Sequence, residues 1–133
     1  MATTTIIAVG YTAPFTIYIY RSTRYYKKFT IKTKAGATVN IQGWTIFFTA
    51  KTPDDIATDA TDATAIIKTN IVVPAVDADG AVGIFYLDIA DNLTDLAAQK
   101  LTTDFKYLSG GERYPLMKFK AVVVDDVTHR ISV

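Results

Sequence analysis

The strongest constraint on the fold is the two-residue alternation of residues 43–51, GWTIFFTAK. Successive side chains of an extended strand point to opposite faces, so Trp44, Ile46 and Phe48 share one face. The opposite face carries Phe47 between two threonines. Because both faces hold a large apolar side chain, the segment predicts a central strand that packs on part of both faces.

The same period recurs along the chain, separated by turn-forming residues. Further strands are predicted in residues 15–20, 28–32, 65–73, 81–89, 103–108 and 114–124, with a short edge strand or tail at 129–133. Glycine-containing turns are predicted at residues 34–36, 77–80 and 109–112, where glycine adopts positive φ without a steric cost.

One segment has the period of a helix instead. Leu93, Leu96, Ala97 and Leu101 recur near helical spacing, and Asp91 or Asn92 could cap the N-terminus. Seven or eight strands with one short helix predict an all-β fold, specifically an immunoglobulin-like antiparallel β-sandwich. Trp44 is expected to fill the core between the sheets.

The length of 133 residues predicts a single domain. Residues 1–14 are short and plain for a core and are interpreted as an N-terminal arm, so that residues 15–133 form the β-sandwich. We expect no secretory signal, because a basic start and a continuous apolar stretch are missing. No segment approaches the roughly 18 apolar residues of a membrane span, so no membrane partner is expected.

Charge and residue types argue against several classes of function. The net charge of +1 supplies no field for nucleic acid, and the chain has no cysteine and only one histidine, His129. A catalytic triad or histidine general base would have to use His129, which lies near the chain end. We therefore predict no enzyme activity, no catalytic residues and no cofactor.

Aspartate-rich turns leave one metal question open. Asp77-Ala78-Asp79-Gly80 resembles part of a calcium loop, but no bidentate glutamate follows at the required spacing. Asp-Gly is also a favoured turn, so a turn is the preferred interpretation and a calcium site the alternative. The polar loop with Asp54, Asp55, Asp59 and Asp62 could also supply carboxylates, but a solvated loop is the preferred interpretation, and no metal ligand is assigned.

A basic and aromatic cluster is the candidate site. Its members are Tyr18, Tyr20, Arg21, Arg24, Tyr25 and Tyr26, followed by Lys27 and Lys28. Tyrosine and arginine are the usual anchors of protein–protein interfaces, so an interface is the preferred interpretation. Aromatics interleaved with cations can also stack on bases or sugars, and the four tyrosines could form a platform for a glycan.

Two segments resemble a known pattern. Residues 29–51, FTIKTKAGATVNIQGWTIFFTAK, and residues 62–70, DATAIIKTN, are similar to the immunoglobulin-like domain of phage tail and baseplate proteins. Upper baseplate proteins of siphophages carry it at their N-terminus. Gly36, Gly43 and Lys51 stand at the turn and strand-end positions of the pattern, and the closing Asp-Val-Thr matches at residues 126–128.

The resemblance implies a bacteriophage virion structural protein: a tail, baseplate, neck or capsid-decorating subunit, made in the host bacterial cytoplasm and located in the virion. Its expected partners are other virion structural proteins and further copies of itself, with no nucleic acid and no membrane. The alternative is a carbohydrate-binding β-sandwich module that uses surface tyrosines for adhesion to host glycans.

Overall fold

The computed structural model describes residues 4–8, 16–33, 35–52 and 65–125. In chain order the strands are β1 (Thr4–Ala8), β2 (Thr16–Tyr20), β3 (Tyr25–Lys32), β4 (Thr45–Lys51), β5 (Ile67–Val72), β6 (Ile84–Ile89), β7 (Gln99–Ser109) and β8 (Glu112–Val124). A single turn of helix, α1 (Ala78–Ala81), lies between β5 and β6.

The strands form two sheets that pack on one another. The smaller sheet has the order β1-β3-β6 and the larger has the order β2-β8-β7-β4-β5. The predicted all-β fold is confirmed. Two pairings are parallel, however, β1 with β3 and β2 with β8, so the sheets are mixed and the expectation of purely antiparallel pairing was wrong.

Chain path explains the parallel pairs. A tight hairpin forces its two strands to be antiparallel, as in β7–β8. Between β1 and β3 the chain instead passes through β2 in the other sheet, so β3 returns in the direction of β1. The immunoglobulin-like assignment stays a prediction, since the two-layer arrangement alone does not establish it.

The core lies between the two sheets and is rich in phenylalanine. Phe105 of β7 is fully buried at its centre, with the rings of Phe29 and Phe85 at centroid distances of 5.4 Å and nearly perpendicular to it. Phe48 and Phe119 approach the same ring from their own strands of the large sheet. Edge-to-face contacts of this kind stabilise a pair beyond the area that it buries.

The predicted helix near Leu93–Leu101 was wrong. Residues 91–94 form a turn, and the strand β7 has already begun at Gln99. The Thr94 hydroxyl donates a hydrogen bond of 2.6 Å to the carbonyl of Thr23, and Leu101 is buried opposite Ala121 in the sheet. These tertiary contacts outweigh the helical spacing, because helix propensity is only a weak preference.

Part of the predicted N-terminal arm is a strand. Thr4–Ala8 pairs in parallel with Lys28–Lys32 of β3, and so belongs to a sheet of its own chain. Residues 1–3 and 9–15 lie outside the described residues, as do residues 53–64 and 126–133 with His129. The boundary between residues 14 and 15 therefore stays a prediction.

Candidate functional site

The predicted cluster begins at the turn that connects β2 to β3. Ser22 adopts a φ of 60°, in the left-handed region, and its hydroxyl donates to the Asp95 carboxylate at 2.9 Å. Arg21 Nε donates to the same oxygen at 3.2 Å. The hydrogen bond from Ser22, with that from Arg21, lowers the pKa of Asp95. The turn is thus held in one conformation by the neighbouring turn at residues 91–95.

Beyond the turn, Arg24 and Tyr26 join a patch on the outer face of the small sheet. Arg24 binds Asp88 through two hydrogen bonds of 2.8 Å, and its guanidinium carbon lies 4.7 Å from the centroid of the Tyr26 ring. The Tyr86 ring stacks on Tyr26 with centroids 5.4 Å apart and planes at 11°. Arg24 and Tyr86 both lie against the ring of Tyr26, so the π surface of this ring is already in contact with other side chains of the chain.

Tyr25 points the opposite way from its neighbour. It packs against the core cluster, and Lys27 Nζ lies 5.9 Å from its ring centroid. The Tyr25 hydroxyl is buried and has no hydrogen-bond partner within the described part of the chain. Burial raises the pKa of this phenol well above its usual range. Tyr25 is therefore a residue of the sandwich interior and not part of an exposed site.

Tyr18 and Tyr20 lie on the other sheet. They occupy β2, an edge strand of the large sheet, with Ile17 and Ile19 buried between them, and their exposed fractions are 57% and 59%. Register places Val122 beside Tyr18 on the neighbouring strand. The two rings therefore belong to an exposed, largely apolar strip on the outer face of the large sheet.

The structure thus divides the predicted cluster among three surroundings. Tyr18 and Tyr20 face outward from the large sheet, Arg24 and Tyr26 face outward from the small sheet, and Tyr25 faces inward. The platform of four tyrosines that the glycan alternative requires does not form. Residues adjacent in sequence separate because the turn at residues 21–24 carries the chain from one sheet to the other.

Sequence reasoning missed two members of the outer patch on the small sheet. Tyr86 and Asp88 come from β6, where they alternate with the buried Phe85 and Leu87. That alternation was visible in the sequence and placed both residues outward. Their position beside Tyr26 depends on the register of β6 on β3, in which Tyr26 pairs with Asp88. No local sequence signal specifies this register.

A second aromatic group was also missed. Trp44 stacks on Tyr107 with centroids 3.8 Å apart, and Tyr107 stacks in turn on the exposed Tyr114 at 5.2 Å. Trp44 is half-buried against the core, so it contributes to the interior without filling it as expected. On the opposite face of the same sheet, the guanidinium of Arg113 lies 5.4 Å from the Phe47 ring centroid.

In the candidate calcium turn, an aspartate side chain binds the backbone of the turn itself. Asp77 caps α1, and its carboxylate accepts a hydrogen bond of 3.1 Å from the amide of Gly80. Within the described ranges no three histidine, aspartate or glutamate residues come together to hold a metal. The other aspartate loop, residues 53–64, lies outside those ranges. Among the described residues, no helix has the length and apolar character needed to cross a bilayer.

Beside α1 is a shallow cleft of about 260 Å³ between the edges of the two sheets. Val72, Asp77, Asp79 and Tyr86 contribute to its lining. Exposed apolar side chains stand next to it, Val72 at 73% and Val76 at 91%. This corner thus brings two carboxylates beside exposed apolar side chains.

No family model matches the sequence, and no curated protein sequence matches it. Among solved structures, the fold is similar to the N-terminal domain of phage TP901-1 ORF48, with a TM-score of 0.52. The two chains are 15% identical, and the alignment covers 90% of this chain and 97% of that chain. At this identity the likeness shows a common fold over nearly the whole chain.

Proposed function

We propose that this chain is a structural component of a bacteriophage virion, a tail, baseplate, neck or capsid-decorating subunit that acts through contacts with other virion proteins. The observation that carries the proposal is agreement between two comparisons. The turn and strand-end residues resemble a phage tail and baseplate domain, and the whole fold is similar to a domain of a phage protein. Binding, rather than catalysis, is the role that the surfaces support.

Two surfaces supply contacts of the required kind. The strip around Tyr18 and Tyr20 is exposed and lies on a strand with one neighbour among the described residues, so an extended segment of a partner can add to the sheet there. The patch around Arg24 and Tyr26 is held by its ion pair and ring stacking before any partner binds. Preorganised side chains lose little conformational entropy on binding, so weak contacts repeated in an array suffice.

Purified particles provide the direct test. Mass spectrometry of density-gradient virions should detect this chain at a stoichiometry above trace, and gold-labelled antibody should bind at one defined structure of the particle. A host enzyme released during lysis serves as the control for carry-over. If the chain stays with the soluble lysate while tail and capsid proteins sediment together, the proposed function is wrong.

Glycan adhesion remains the alternative, and the geometry restricts it to Tyr18 and Tyr20. These two rings have no ring partner among the described residues, and they are spaced two residues apart on one strand face. A glycan array should then give hits that Tyr18→Ser with Tyr20→Ser abolishes, while Tyr26→Ser leaves them unchanged. An array without hits would dismiss the alternative.

A further inference from the structure

The chain has an uneven charge distribution that the net charge of +1 conceals. Residues 1–52 contain seven lysine and arginine residues and no carboxylate, whereas residues 53–95 contain nine aspartates and only Lys68 as a cation. In the folded chain, the excess positive charge and the excess negative charge lie on different surfaces.

The outer face of the large sheet is rich in lysine and arginine side chains. Its exposed basic side chains, defined here as the basic face, are Lys68, Lys100, Lys106, Arg113, Lys118 and Lys120. Each stands at an outward register position on β5, β7 or β8. None of the six forms an ion pair within the part of the chain that the structure describes. Cations in strand register at this density repel one another, which favours an anionic partner.

One carboxylate stands among these cations. Asp104 pairs with Lys118 across the strands and lies near Lys106 and Lys51. Burial raises its pKa, and the three lysines act in the opposite direction. A single carboxylate neutralises one of its neighbours and leaves the rest of the basic face uncompensated, since Asp104 is the only outward carboxylate on the described strands of this sheet.

The complementary charge adjoins this face at the end of β5, where Val72 stands on the same side of the strand as Lys68. Asp77 and Asp79 stand beside the exposed Val72 and Val76 at the edge of the sandwich, and these four residues are defined here as the acidic corner. Asp79 is exposed, and no cation pairs with it among the described residues. A corner with apolar and anionic side chains is complementary to a face with Phe47, Tyr18 and lysines, since opposite charges and apolar groups can meet across the contact.

We propose that the basic face of one copy binds the acidic corner of a second copy. The proposal rests on the proposed function, because it names the contact by which copies of a virion subunit would associate. The two surfaces differ, so the contact is head-to-tail and generates a ring or a continuing row, depending on the rotation between copies. The balance of 14 cations and 13 anions in one chain suits this arrangement, since each copy supplies both halves.

A phosphate polymer such as nucleic acid is the competing occupant of the basic face. Tyr18 and Tyr20 present exposed rings on the same side of this sheet, so stacking on bases does not separate the two occupants. The structure favours protein because the acidic half of the contact is present in the chain itself. Single-stranded DNA is therefore included in the test as a rival.

Sedimentation velocity of the full chain tests the contact. At about 50 mM salt the chain should associate, and at about 500 mM salt the association should weaken at least tenfold, because charges on exposed surfaces are screened. The double variant Lys118→Glu with Lys120→Glu should lose association by at least about tenfold, and Asp79→Lys should do the same. Lys28→Glu with Lys32→Glu, on the outer face of the small sheet, is the matched control and should associate as the unaltered chain does.

Mixing the variants gives the sharpest result. A head-to-tail contact needs one intact basic face and one intact acidic corner, so the neutral variant Asp79→Asn mixed with the Lys118→Glu and Lys120→Glu chain should form a dimer that goes no further, because an uncharged residue 79 does not attract the reversed face. A chain that is monomeric at both salt concentrations overturns the proposal. A mixture without dimer overturns it too, as does DNA binding by the basic face in the absence of self-association.

The proposed function and the proposed contact can be disproved independently of one another. Virions that contain the chain while the purified chain stays monomeric would overturn the contact and leave the virion role standing. A chain that associates as described but is missing from virions would overturn the role and leave the contact.

Discussion

Arg24, directly before β3, donates two hydrogen bonds of 2.8 Å to Asp88 of β6, while its guanidinium lies over the ring of Tyr26. The hydrogen bond from Arg24, followed by its charge, lowers the pKa of Asp88. A carboxylate whose pKa is lowered by folding stabilises the folded state above its unfolded pKa, near 3.9, and loses that contribution as the pH falls through the lowered value.

Asp88→Asn should therefore reduce stability at pH 7 and have little effect in acid. Both partners are largely exposed, so the loss should stay below about 1 kcal/mol and shrink in high salt. Urea unfolding of both chains at neutral pH and below about pH 3 would measure this. A difference that persists unchanged in acid would show that the ion pair is not its source.

Tyr25→Phe should preserve stability at neutral pH or raise it by about 1 kcal/mol. The Tyr25 hydroxyl is buried without a hydrogen-bond partner among the described residues. Such a group loses its hydrogen bonds to water on folding and forms none within the protein to replace them. Removal of the oxygen leaves the ring packing in place. A clear loss of stability in urea unfolding would mean that the hydroxyl has a partner.

The alkaline behaviour of the same variant has a defined sign. Because burial raises the pKa of Tyr25, the unfolded chain releases this proton at a lower pH than the folded chain does. The folding stability should decrease as the pH rises above about 10, and the stability of the Tyr25→Phe variant should decrease less steeply. Tyr20→Phe, at an exposed position of β2, is the control and should follow the unaltered chain.

Gly83→Ala should destabilise the protein by about 3 kcal/mol. Gly83 has a φ of 82°, and an added Cβ would lie 2.5 Å from the carbonyl oxygen of Ile31 and 2.9 Å from that of Val39. Gly36 has a similar φ of 88°, and no atom of the described residues lies within 4 Å of an added Cβ, so Gly36→Ala should cost only about 1 kcal/mol. Equal losses in the two variants would mean that backbone conformation alone, and not the close approach, determines the cost.

Phe105→Ala should cost about 3–5 kcal/mol, the range for removal of a fully buried aromatic ring. The ring contacts phenylalanines from both sheets, so its loss leaves a cavity at the point where the sheets meet. Phe105→Leu should cost less because it fills most of that volume. Thermal unfolding of both variants and of the exposed control Tyr18→Ser would rank their stabilities. If Phe105→Ala were as stable as the unaltered chain, the two sheets would not share a core at this ring.

The sequence predicted the strands well and their partners poorly. Alternation places Ile17, Ile19 and Phe48 inward whichever strands lie beside them, and these residues are buried as the pattern requires. The same alternation is found in parallel and antiparallel strands, so it could not predict the parallel pairing of β2 with β8. Long-range pairing depends on the path of the whole chain.

The candidate site shows the same limit. Tyr25 and Tyr26 are neighbours in sequence but lie on opposite faces of β3, as a period of two requires. The separation of Tyr18 from Tyr26 could not be read from composition, because it depends on a turn that changes sheets. Asp88 joins Arg24 through strand register, and the spacing of 64 residues between them carries no local signal.

The pairing of β2 with β8 has a consequence for biosynthesis. Among the described residues, residues 16–20 of the large sheet pair with residues 120–124, so this strand cannot be placed until residues 120–124 have left the ribosome. Ile17 and Ile19 remain without their final cover until then. Such distant pairing slows folding and exposes apolar segments to aggregation meanwhile. A nascent chain stalled before β8 should therefore be a substrate for host chaperones, whereas a released chain should not.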